Sequence, residues 1–342
     1  MNAECTLRAL RKIANTRANL SADESRAVFD EIMGGEVDDR TLAAFLTALK
    51  MKGETVDEIV GAASAMRKRA AFVNAGAYAP IDTCGTGGDG MDTFNISTTS
   101  AFIVAGAGVG VAKHGNRAAT SKCGSGDVLA ALGFNLDVHP EVMEHCLQEN
   151  GIAFLFAPKM HPAMRYAAPV RKALGFRTAF NLLGPLVNPA GATGQVVGVF
   201  DASMTEFVAE CLKKLGGRRA FVIHGDDGLD EISPCAPTKV SELKNGFVKT
   251  YEFNPLKYIP NLADMSELRG GDPAENAEIT RGILDGKIGG GARNACLLNA
   301  AAGIVVGGKT DDFGEAVELA KKSLDSGAAR AKLDVLVKFS RQ

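Results

Sequence analysis

The stretch IDTCGTGGDG, Ile81 to Gly90, places four glycines within six residues directly after a short strand-like segment. Such a change is typical of a β-strand that runs into a tight loop. Gly85, Gly87 and Gly90 satisfy the G-x-G-x-x-G pattern of dinucleotide-binding folds. The same loop contains Asp89, an acid that this pattern does not explain.

The context of this glycine loop argues against a dinucleotide-binding fold. There the helix begins within the loop, and an acid about 20 positions later holds the ribose. Here the helical pattern begins only at NISTTSAF (95–102), and the next strand ends in AKHGN (112–116) without an acid. Consecutive N–H groups free of side chains instead favour an anion, particularly phosphate. Ser97, expected as the helix N-cap, adds a hydroxyl to this anion site.

Composition excludes several classes of protein. The chain has 342 residues and a formal net charge of −2, which gives no electrostatic attraction to nucleic acid or anionic membranes. The longest nearly apolar run, 101–112, is shorter than the roughly 20 residues that span a bilayer. Seven cysteines without a C-x-x-C pair fit reduced thiols. The sequence predicts a cytoplasmic protein that binds neither nucleic acid nor membrane.

Two regions differ in their hydrophobic pattern. Residues 1–74 read as helices only, with capping-box patterns at Ser21 and Thr55. From residue 75 short apolar strands alternate with helical stretches, which is typical of crossover connections in a parallel sheet. We therefore predict an α/β protein, with a small all-helical N-terminal domain (1–74) and a larger α/β domain (75–342) built on a central, mostly parallel sheet. The candidate strands are 79–84, 108–115, 152–157, 195–200 and 219–225.

A second candidate phosphate site lies in KHGNRAATSKCGSGD, 113–127. It contains Lys113, Arg117 and Lys122, followed by Ser125 at the start of another helix. Basic side chains beside a helix N-terminus favour phosphate. Two such loops at neighbouring strand ends suggest a ligand with two separated phosphate groups; two solvated loops are the alternative.

Acidic residues follow another predicted strand in HGDDGLDEIS, 224–233. Magnesium is usually held by one or two carboxylates, with waters and substrate phosphates completing its shell. Asp230 and Glu231 fit that role if they lie near the phosphate loops. A solvated acidic turn is the alternative.

A fourth stretch, 170–191, combines arginines with a rigid turn. Arg171 and Arg177 can each form paired hydrogen bonds with a carboxylate. NLLGPLVNP (181–189) is suited to placing backbone against a flat ligand. Surface arginines and a structural turn are the alternative reading.

Together these stretches resemble the anthranilate phosphoribosyltransferase family, on CGTGGDGMDTFNIST, KHGNRAATSKCGSGDVLAALG, HPAMRYAAPVRKALGFRTAFNLLGPLVNPA and HGDDGLDEISPCAPTKVSELKNG. The resemblance covers most of the chain. It implies a fold like that of nucleoside phosphorylases and Mg²⁺-dependent transfer of the 5-phosphoribosyl group of phosphoribosyl pyrophosphate (PRPP) to the amino group of anthranilate, in L-tryptophan biosynthesis. It also implies a homodimer through the helical domain, and a helical domain joined by a segment near 160–185.

The resemblance also implies site residues. Those for catalysis are Lys113, Asp89 and His114, with the roles of Asp89 and His114 left open. Those for PRPP are Gly85, Gly88, Asp89, Thr93, Asn95, Ile96, Ser97, Thr98, Lys113, His114, Gly115, Asn116, Arg117, Ala118, Ala119, Thr120, Ser121 and Ser125. Those for anthranilate are Gly85, Asn116 and Arg171, and those for the metal are Ser97, Asp230 and Glu231.

Two rival functions follow from the same pattern. A pyrimidine-nucleoside phosphorylase has a similar glycine-rich phosphate loop but does not need the pair Asp230 and Glu231. A non-catalytic nucleic-acid-binding relative should be basic along one face. The net charge of −2 and the intact acidic pair argue against this second rival.

Overall fold

One seven-stranded sheet organises the computed structural model, which describes residues 3–118 and 121–342. Its order is β3-β2-β1-β4-β5-β6-β7; the first five strands are parallel, and β6 and β7 are antiparallel to their neighbours. The strands are β1 (Ile81–Gly85), β2 (Val111–Gly115), β3 (Ile152–Phe156), β4 (Gly194–Gly198), β5 (Arg219–Gly225), β6 (Thr238–Lys244) and β7 (Phe247–Phe253). The five predicted strands are confirmed as β1 to β5.

The prediction missed the hairpin of β6 and β7. Its turn is Asn245-Gly246, and both residues have positive φ angles, 52° and 77°. Two consecutive positive φ angles define the tight turn that matches the twist of paired strands, and Asn-Gly is its strongest sequence signal. The signal was therefore present in the sequence.

Helices precede, cover and follow the sheet. Those of the N-terminal bundle are α1 (Glu4–Thr16), α2 (Ala22–Gly34), α3 (Asp39–Lys52) and α4 (Val56–Lys68). The others are α5 (Ile96–Gly106), α6 (Ser125–Ala131), α7 (Pro140–Asn150), α8 (Ala157–Met160), α9 (Ala168–Leu174), α10 (Ala179–Leu183), α11 (Met204–Lys214), α12 (Pro273–Leu284), α13 (Gly290–Val306), α14 (Phe313–Asp325) and α15 (Ala328–Phe339). Among the described residues, none of the helices combines the length and apolarity that crossing a bilayer requires.

Local sequence explains where the bundle helices begin. The side chains of Ser21 and Thr55 accept hydrogen bonds from the third residues of α2 and α4, and those glutamates bond back to the cap. Both predicted capping boxes are confirmed. By contrast, Ser97 is not an N-cap: α5 begins at Ile96, and its N-cap is Asn95.

Both faces of the parallel part of the sheet are buried, and successive residues along each strand face opposite sides. Val196 and Phe221 belong to a core shared with α5, α13 and α15. Their neighbours Val197 and Val222 belong to a second core shared with α11 and the N-terminal bundle. The predicted fold class, a helical N-terminal domain with a larger α/β domain, is confirmed.

The chain between β3 and β4 includes residues 157–189, which we call segment 157–189. This segment packs on the N-terminal bundle. The ring of Phe180 lies 5.4 Å from that of Phe29, and Val170 is buried in the same core. Arg67 Nε of α4 donates to the carbonyl oxygen of Leu186 at 2.7 Å. The segment thus shares a core with the bundle, while the join near 160–185 and the domain boundary at residue 74 both stay predictions.

Candidate active site

The candidate residues gather where the parallel strands end. β1 lies in the middle of the sheet, and the chain continues from it to β2 on one side before it returns to place β4 on the other. Ligands of open α/β sheets bind outside the carboxyl ends of the strands at such a reversal. The glycine loop follows β1, the second loop follows β2, and the acidic loop follows β5.

Two strand-end glycines allow the acidic loop to approach β1 and β4. A Cβ on Gly85 would lie 2.6 Å from Asp230 Oδ2, and one on Gly198 would lie 1.7 Å from the Asp230 carbonyl oxygen. At Gly198 no side chain fits without movement of the backbone, whereas at Gly85 an added Cβ would require the Asp230 carboxylate to move. Gly88 in the loop has φ +79°, in the left-handed region that favours glycine. Close packing is thus a second reason for the glycines of this loop, beside the anion binding that the sequence predicts.

The predicted metal ligands Asp230 and Glu231 are half-buried, and their negative charges lie close to each other and to that of Asp89. Burial and the neighbouring charge of Asp89 raise the pKa of Asp230 above its usual range. Burial and the charge of Asp230 raise the pKa of Glu231 well above its usual range, although Lys113 opposes this. Glu231 Oε1 also accepts the backbone N–H of Ser97 at 3.0 Å. The structure therefore brings Ser97, Asp89 and the acidic pair together, with carboxylates crowded enough to favour a cation.

These side chains fit a partly hydrated magnesium ion better than a closed metal cage. Within residues 3–118 and 121–342, no group of three or more His, Cys, Asp or Glu side chains is arranged to hold a metal. Magnesium commonly takes one or two carboxylates, with water and substrate phosphates as its other ligands. Asp230 and Glu231, beside a phosphate-type loop, match that pattern.

Lys113 is a buried cation at the end of β2, and only 4% of it is exposed. Its Nζ donates to the carbonyl oxygen of Thr83 and, at 3.3 Å, to Ser97 Oγ. The ammonium therefore lies between the ends of β1 and β2, next to the first turn of α5.

The second loop is less basic than its sequence suggests. Arg117 forms an ion pair with Asp127 at 2.9 Å, and Lys122 forms one with Asp92 at 3.0 Å. Asp127 also accepts the backbone N–H groups of Ala118 and Gly124. It therefore holds this loop in shape, and Lys113 is left as the cation best placed for a ligand. The predicted positions Ala119 and Thr120 lie outside the described residues.

The other predicted PRPP-binding positions differ in how exposed they are to a ligand. Ile96 and Thr98 are each 1% exposed, so a ligand could meet only their backbone. The side chain of Asn95 is held by the carbonyl of Cys123 and the amide of Asn276. The exposed or partly exposed positions are Thr93, Gly115, Asn116, Ser121 and Ser125.

The two arginines of segment 157–189 that the sequence singled out, Arg171 and Arg177, make different contacts. Arg171, on α9, is partly exposed, and its guanidinium lies 5.2 Å from the centre of the Phe180 ring. It makes no side-chain hydrogen bond or ion pair with any described residue. Arg177 donates to the carbonyl oxygen of Gly88 and lies 3.6 Å from the centre of the Phe200 ring. Only Arg171 is thus available to a carboxylate, a distinction that the sequence does not make.

His114 is buried at the boundary between β2 and segment 157–189. Its Nδ1 lies 3.2 Å from the carbonyl oxygen of Gly184, which fixes this nitrogen as the donor. The ring of His161 lies 5.0 Å away, and the Nε2 atoms of both rings lack partners among the described residues. Burial lowers the pKa of His114 to about 3 and that of His161 to about 4. Both imidazoles are therefore neutral at pH 7.

Sequence reasoning missed Asp82 and Asn188, which are buried and hydrogen-bonded to each other at 2.8 Å. A charged residue inside a predicted strand was the available signal for Asp82. Nothing in the local sequence indicated that Asn188, 106 positions later, would be its partner.

Comparison with known proteins agrees with this architecture. The profile "Glycosyl transferase family, a/b domain" matches residues 77–330, and the profile "Glycosyl transferase family, helical bundle domain" matches residues 7–70. The anthranilate phosphoribosyltransferase of Desulfatibacillum aliphaticivorans is 53% identical over 333 residues, which cover 97% of this chain and 98% of the relative.

Solved structures give the same result. The crystal structure of anthranilate phosphoribosyltransferase from Thermus thermophilus has a TM-score of 0.92 and 41% identity, over 98% of this chain and 99% of that one. The enzyme from Saccharomyces cerevisiae in complex with PRPP and Mg has a TM-score of 0.89 and 27% identity, over 98% of each chain. The chain belongs to the anthranilate phosphoribosyltransferase family.

Proposed function

We propose that this protein transfers the 5-phosphoribosyl group of PRPP to the amino group of anthranilate, a step of L-tryptophan biosynthesis. One observation carries the proposal beyond family membership. The cleft at the ends of β1 and β2 joins a phosphate-type loop, a buried ammonium and an acidic pair. Segment 157–189, with its unpaired arginine, contacts that cleft twice, at Gly88 through Arg177 and at His114 through Gly184.

PRPP lies between the first two loops in this proposal. Within the loop from Gly85 to Asp89, the backbone N–H groups of Gly88 and Asp89 bind its pyrophosphate together with the Lys113 ammonium, since the N–H of Thr86 already donates to the Gly198 carbonyl oxygen. The described residues of the second loop, 116–118 and 121–125, border the phosphoribosyl part, where Asp127 fixes the backbone at Ala118 and Gly124. Asp230 and Glu231, with the Ser97 hydroxyl, hold Mg²⁺, which when bound neutralises charge on the pyrophosphate.

Arg171 binds the carboxylate of anthranilate. A carboxylate offers two acceptors that match a guanidinium, and the Phe180 ring already holds that group in place. Asn116 and Gly85 lie at strand ends that border the same cleft. His161 and His114 add a neutral, buried wall on this side.

The reaction forms one bond and breaks one at the anomeric carbon of ribose. The bond to pyrophosphate breaks with its electron pair on the leaving oxygen, and the amine nitrogen supplies the pair for the new C–N bond. Positive charge develops on the ribose and negative charge on the pyrophosphate, as in glycosidic cleavage. Fixed N–H donors and the Lys113 ammonium stabilise that negative charge without reorganisation.

The amine needs no strongly tuned base. An aromatic amine is unprotonated at neutral pH, and the proton that it loses after attack passes to solvent. The neutral state of His114 agrees with a role in orienting the acceptor. Holding both substrates in line supplies much of the rate, since effective molarities are worth roughly 7–11 kcal/mol in favourable cases.

The proposal includes a homodimer through the N-terminal bundle. Large apolar side chains are exposed there: Leu7 of α1 is 39% exposed and Met51 of α3 is 74% exposed. Exposed apolar surface of this kind favours association. Sedimentation of the purified protein tests the dimer directly.

Anthranilate fluorescence tests the reaction. The signal should fall on addition of PRPP with Mg²⁺, with one pyrophosphate released per anthranilate consumed. Omission of PRPP or chelation of Mg²⁺ should each prevent the loss. Folded protein that leaves the signal unchanged would contradict the proposal, and phosphorolysis of a pyrimidine nucleoside would then identify the rival activity.

A further inference from the structure

β1 is paired very differently on its two sides. With β4 it forms five consecutive pairs, the last between Gly85 and Gly198. With β2 the single register pair is Ile81 with Val111, although β2 continues to pair with β3 as far as Gly115. β1 and β2 therefore separate toward their carboxyl ends, and this gap opens on the candidate active site.

A buried carboxylate and a buried amide occupy the gap. Asp82 is 0% exposed and Asn188 is 4% exposed. Asp82 Oδ1 accepts the backbone N–H of His114 at 3.1 Å, and Oδ2 accepts Asn188 Nδ2 at 2.8 Å. The same amide nitrogen donates to the Ala112 carbonyl oxygen at 2.7 Å. Side chains thus satisfy backbone groups of β2 at the level where β1 has moved away.

The backbone groups held in this way lie on both sides of Lys113. Ala112 precedes it and His114 follows it, so the path of the chain at Lys113 is fixed at both neighbours. That path determines where the ammonium can reach Thr83 and Ser97.

We propose that Asp82 is a positioning residue: with Asn188 it keeps β1 and β2 apart and holds the backbone around Lys113, so that the ammonium lies in the cleft. Asp82 is fully buried and does not touch substrate; it acts through Lys113. The kinetic consequence rests on the proposed function, whereas the structural consequence does not depend on which reaction occurs.

The site calls for a carboxylate because the groups that face Asp82 are donors: the His114 and Asn188 N–H groups and the Cys84 thiol. An asparagine would turn a donor toward one of them and leave buried N–H groups unpaired. Burial raises the pKa of Asp82, while the charge of Lys113 opposes that rise. The lysine therefore stabilises the charge of the residue that positions it.

A double-mutant cycle between Asp82→Asn and Lys113→Met tests the inference. Alone, Asp82→Asn should lower kcat/KM for PRPP about 100-fold, the effect of misplacing a catalytic group by about 1 Å. In the Lys113→Met background the same change should lower it less than about threefold, because the group that Asp82 positions is gone. Equal losses in the two backgrounds would overturn the inference.

Two further variants separate positioning from stability. Ser323→Ala removes a buried hydrogen bond to the Ile103 carbonyl far from the cleft, so it should lower the melting temperature without changing kcat/KM. Asn188→Ala removes the other half of the pair and serves if Asp82→Asn does not fold. It should show the same non-additivity with Lys113→Met, and additive losses would again overturn the inference.

A crystal structure of Asp82→Asn separates this inference from the proposed function. The gap between β1 and β2 should narrow, and Lys113 Nζ should move by about 1 Å, consistent with the kinetic estimate. An unchanged gap and ammonium position would overturn the inference whatever the activity. Wild-type protein that consumes no anthranilate would contradict the proposed function alone.

Discussion

The two sides of β1 are built by different means. On the side of β4, the paired side, backbone hydrogen bonds run to the ends of both strands, and the acidic loop lies directly on Gly85 and Gly198. On the side of β2, the split side, one register pair is followed by a gap that Asp82 and Asn188 bridge.

This difference determines which substitutions each side of β1 can tolerate. The paired side is limited by volume, because backbone meets backbone and any added atom forces movement. The split side is limited by hydrogen bonding, because buried polar groups there depend on specific partners. The predicted metal pair, Asp230 and Glu231, lies on the first side, and Lys113 and segment 157–189 lie on the second.

The largest expected effect comes from breaking the paired side with Gly198→Ala. The new Cβ would lie 1.7 Å from the Asp230 carbonyl oxygen, a backbone atom that cannot turn aside. We expect a destabilisation of about 3 kcal/mol, at the upper end for overpacking, and loss of PRPP use. Chemical unfolding and the anthranilate assay measure both.

Gly289→Ala is the matched control, since nothing lies within 4 Å of an added Cβ there and its φ is −108°. Its stability should stay within about 0.5 kcal/mol of wild type. Equal stability of the two variants would show that the acidic loop can move away from Gly198, and that the paired side is less rigid than the structure indicates.

The next largest effect should come from removing the carboxylate charges of Asp230 and Glu231 on the paired side. Asp230→Asn with Glu231→Gln should reduce Mg²⁺-dependent use of PRPP about 100-fold or more. The empty protein should become more stable at neutral pH, because a raised carboxylate pKa means that folding disfavours the charged form. Melting temperatures with and without Mg²⁺ test this. A variant that Mg²⁺ still stabilises as strongly as wild type would show that other groups hold the ion.

Sequence predicts features that depend on neighbours along the chain. The capping boxes at Ser21 and Thr55 and the change from strand to glycine loop after Cys84 follow from local chemistry, and they occur where expected. Family resemblance supplied the assigned roles of the site residues, which stay predictions, although several of these residues lie together at the cleft.

What sequence could not predict depends on contacts across the fold. Arg117 and Lys122 read as a phosphate cradle, but Asp127 and Asp92 pair with them once the loops fold. The separation of β1 from β2 depends on Asn188, which the return of segment 157–189 brings into place. Strand register and long-range pairing are not local properties of a sequence.

A smaller effect, restricted to anthranilate binding, should come from substituting Arg171 of segment 157–189, on the split side. Arg171→Ala should raise KM for anthranilate about 10- to 100-fold, since a hydrogen bond to a charged group is worth about 1.5–3 kcal/mol. KM for PRPP should change little. Arg171→Lys keeps the charge but lacks the planar guanidinium, so its KM for anthranilate should lie between those of wild type and Arg171→Ala. An unchanged anthranilate KM in Arg171→Ala would remove this residue from the acceptor site.

The smallest expected effect concerns stability at acid pH on the split side. Burial lowers the pKa of His114 to about 3 and of His161 to about 4, from an ordinary value of 6.5. The unfolded chain therefore binds more protons below pH 6.5, so the stability due to each neutral histidine is present above that pH and is lost as the pH falls toward 4. Between pH 7 and 5 we expect a loss of about 1–2 kcal/mol per histidine.

His161→Phe isolates this contribution, because it removes one buried titrating group and its unpartnered Nε2. Carboxylates with a raised pKa, such as Asp82, act in the opposite sense, so the informative quantity is the difference between variant and wild type. As the pH falls from 7 to 5, the variant should lose about 1–2 kcal/mol less unfolding free energy than wild type loses. His145→Gln, an exposed control, should leave the pH dependence unchanged. A His161→Phe curve parallel to wild type would mean that water already reaches this pair, and that the split side is open where the structure has it closed.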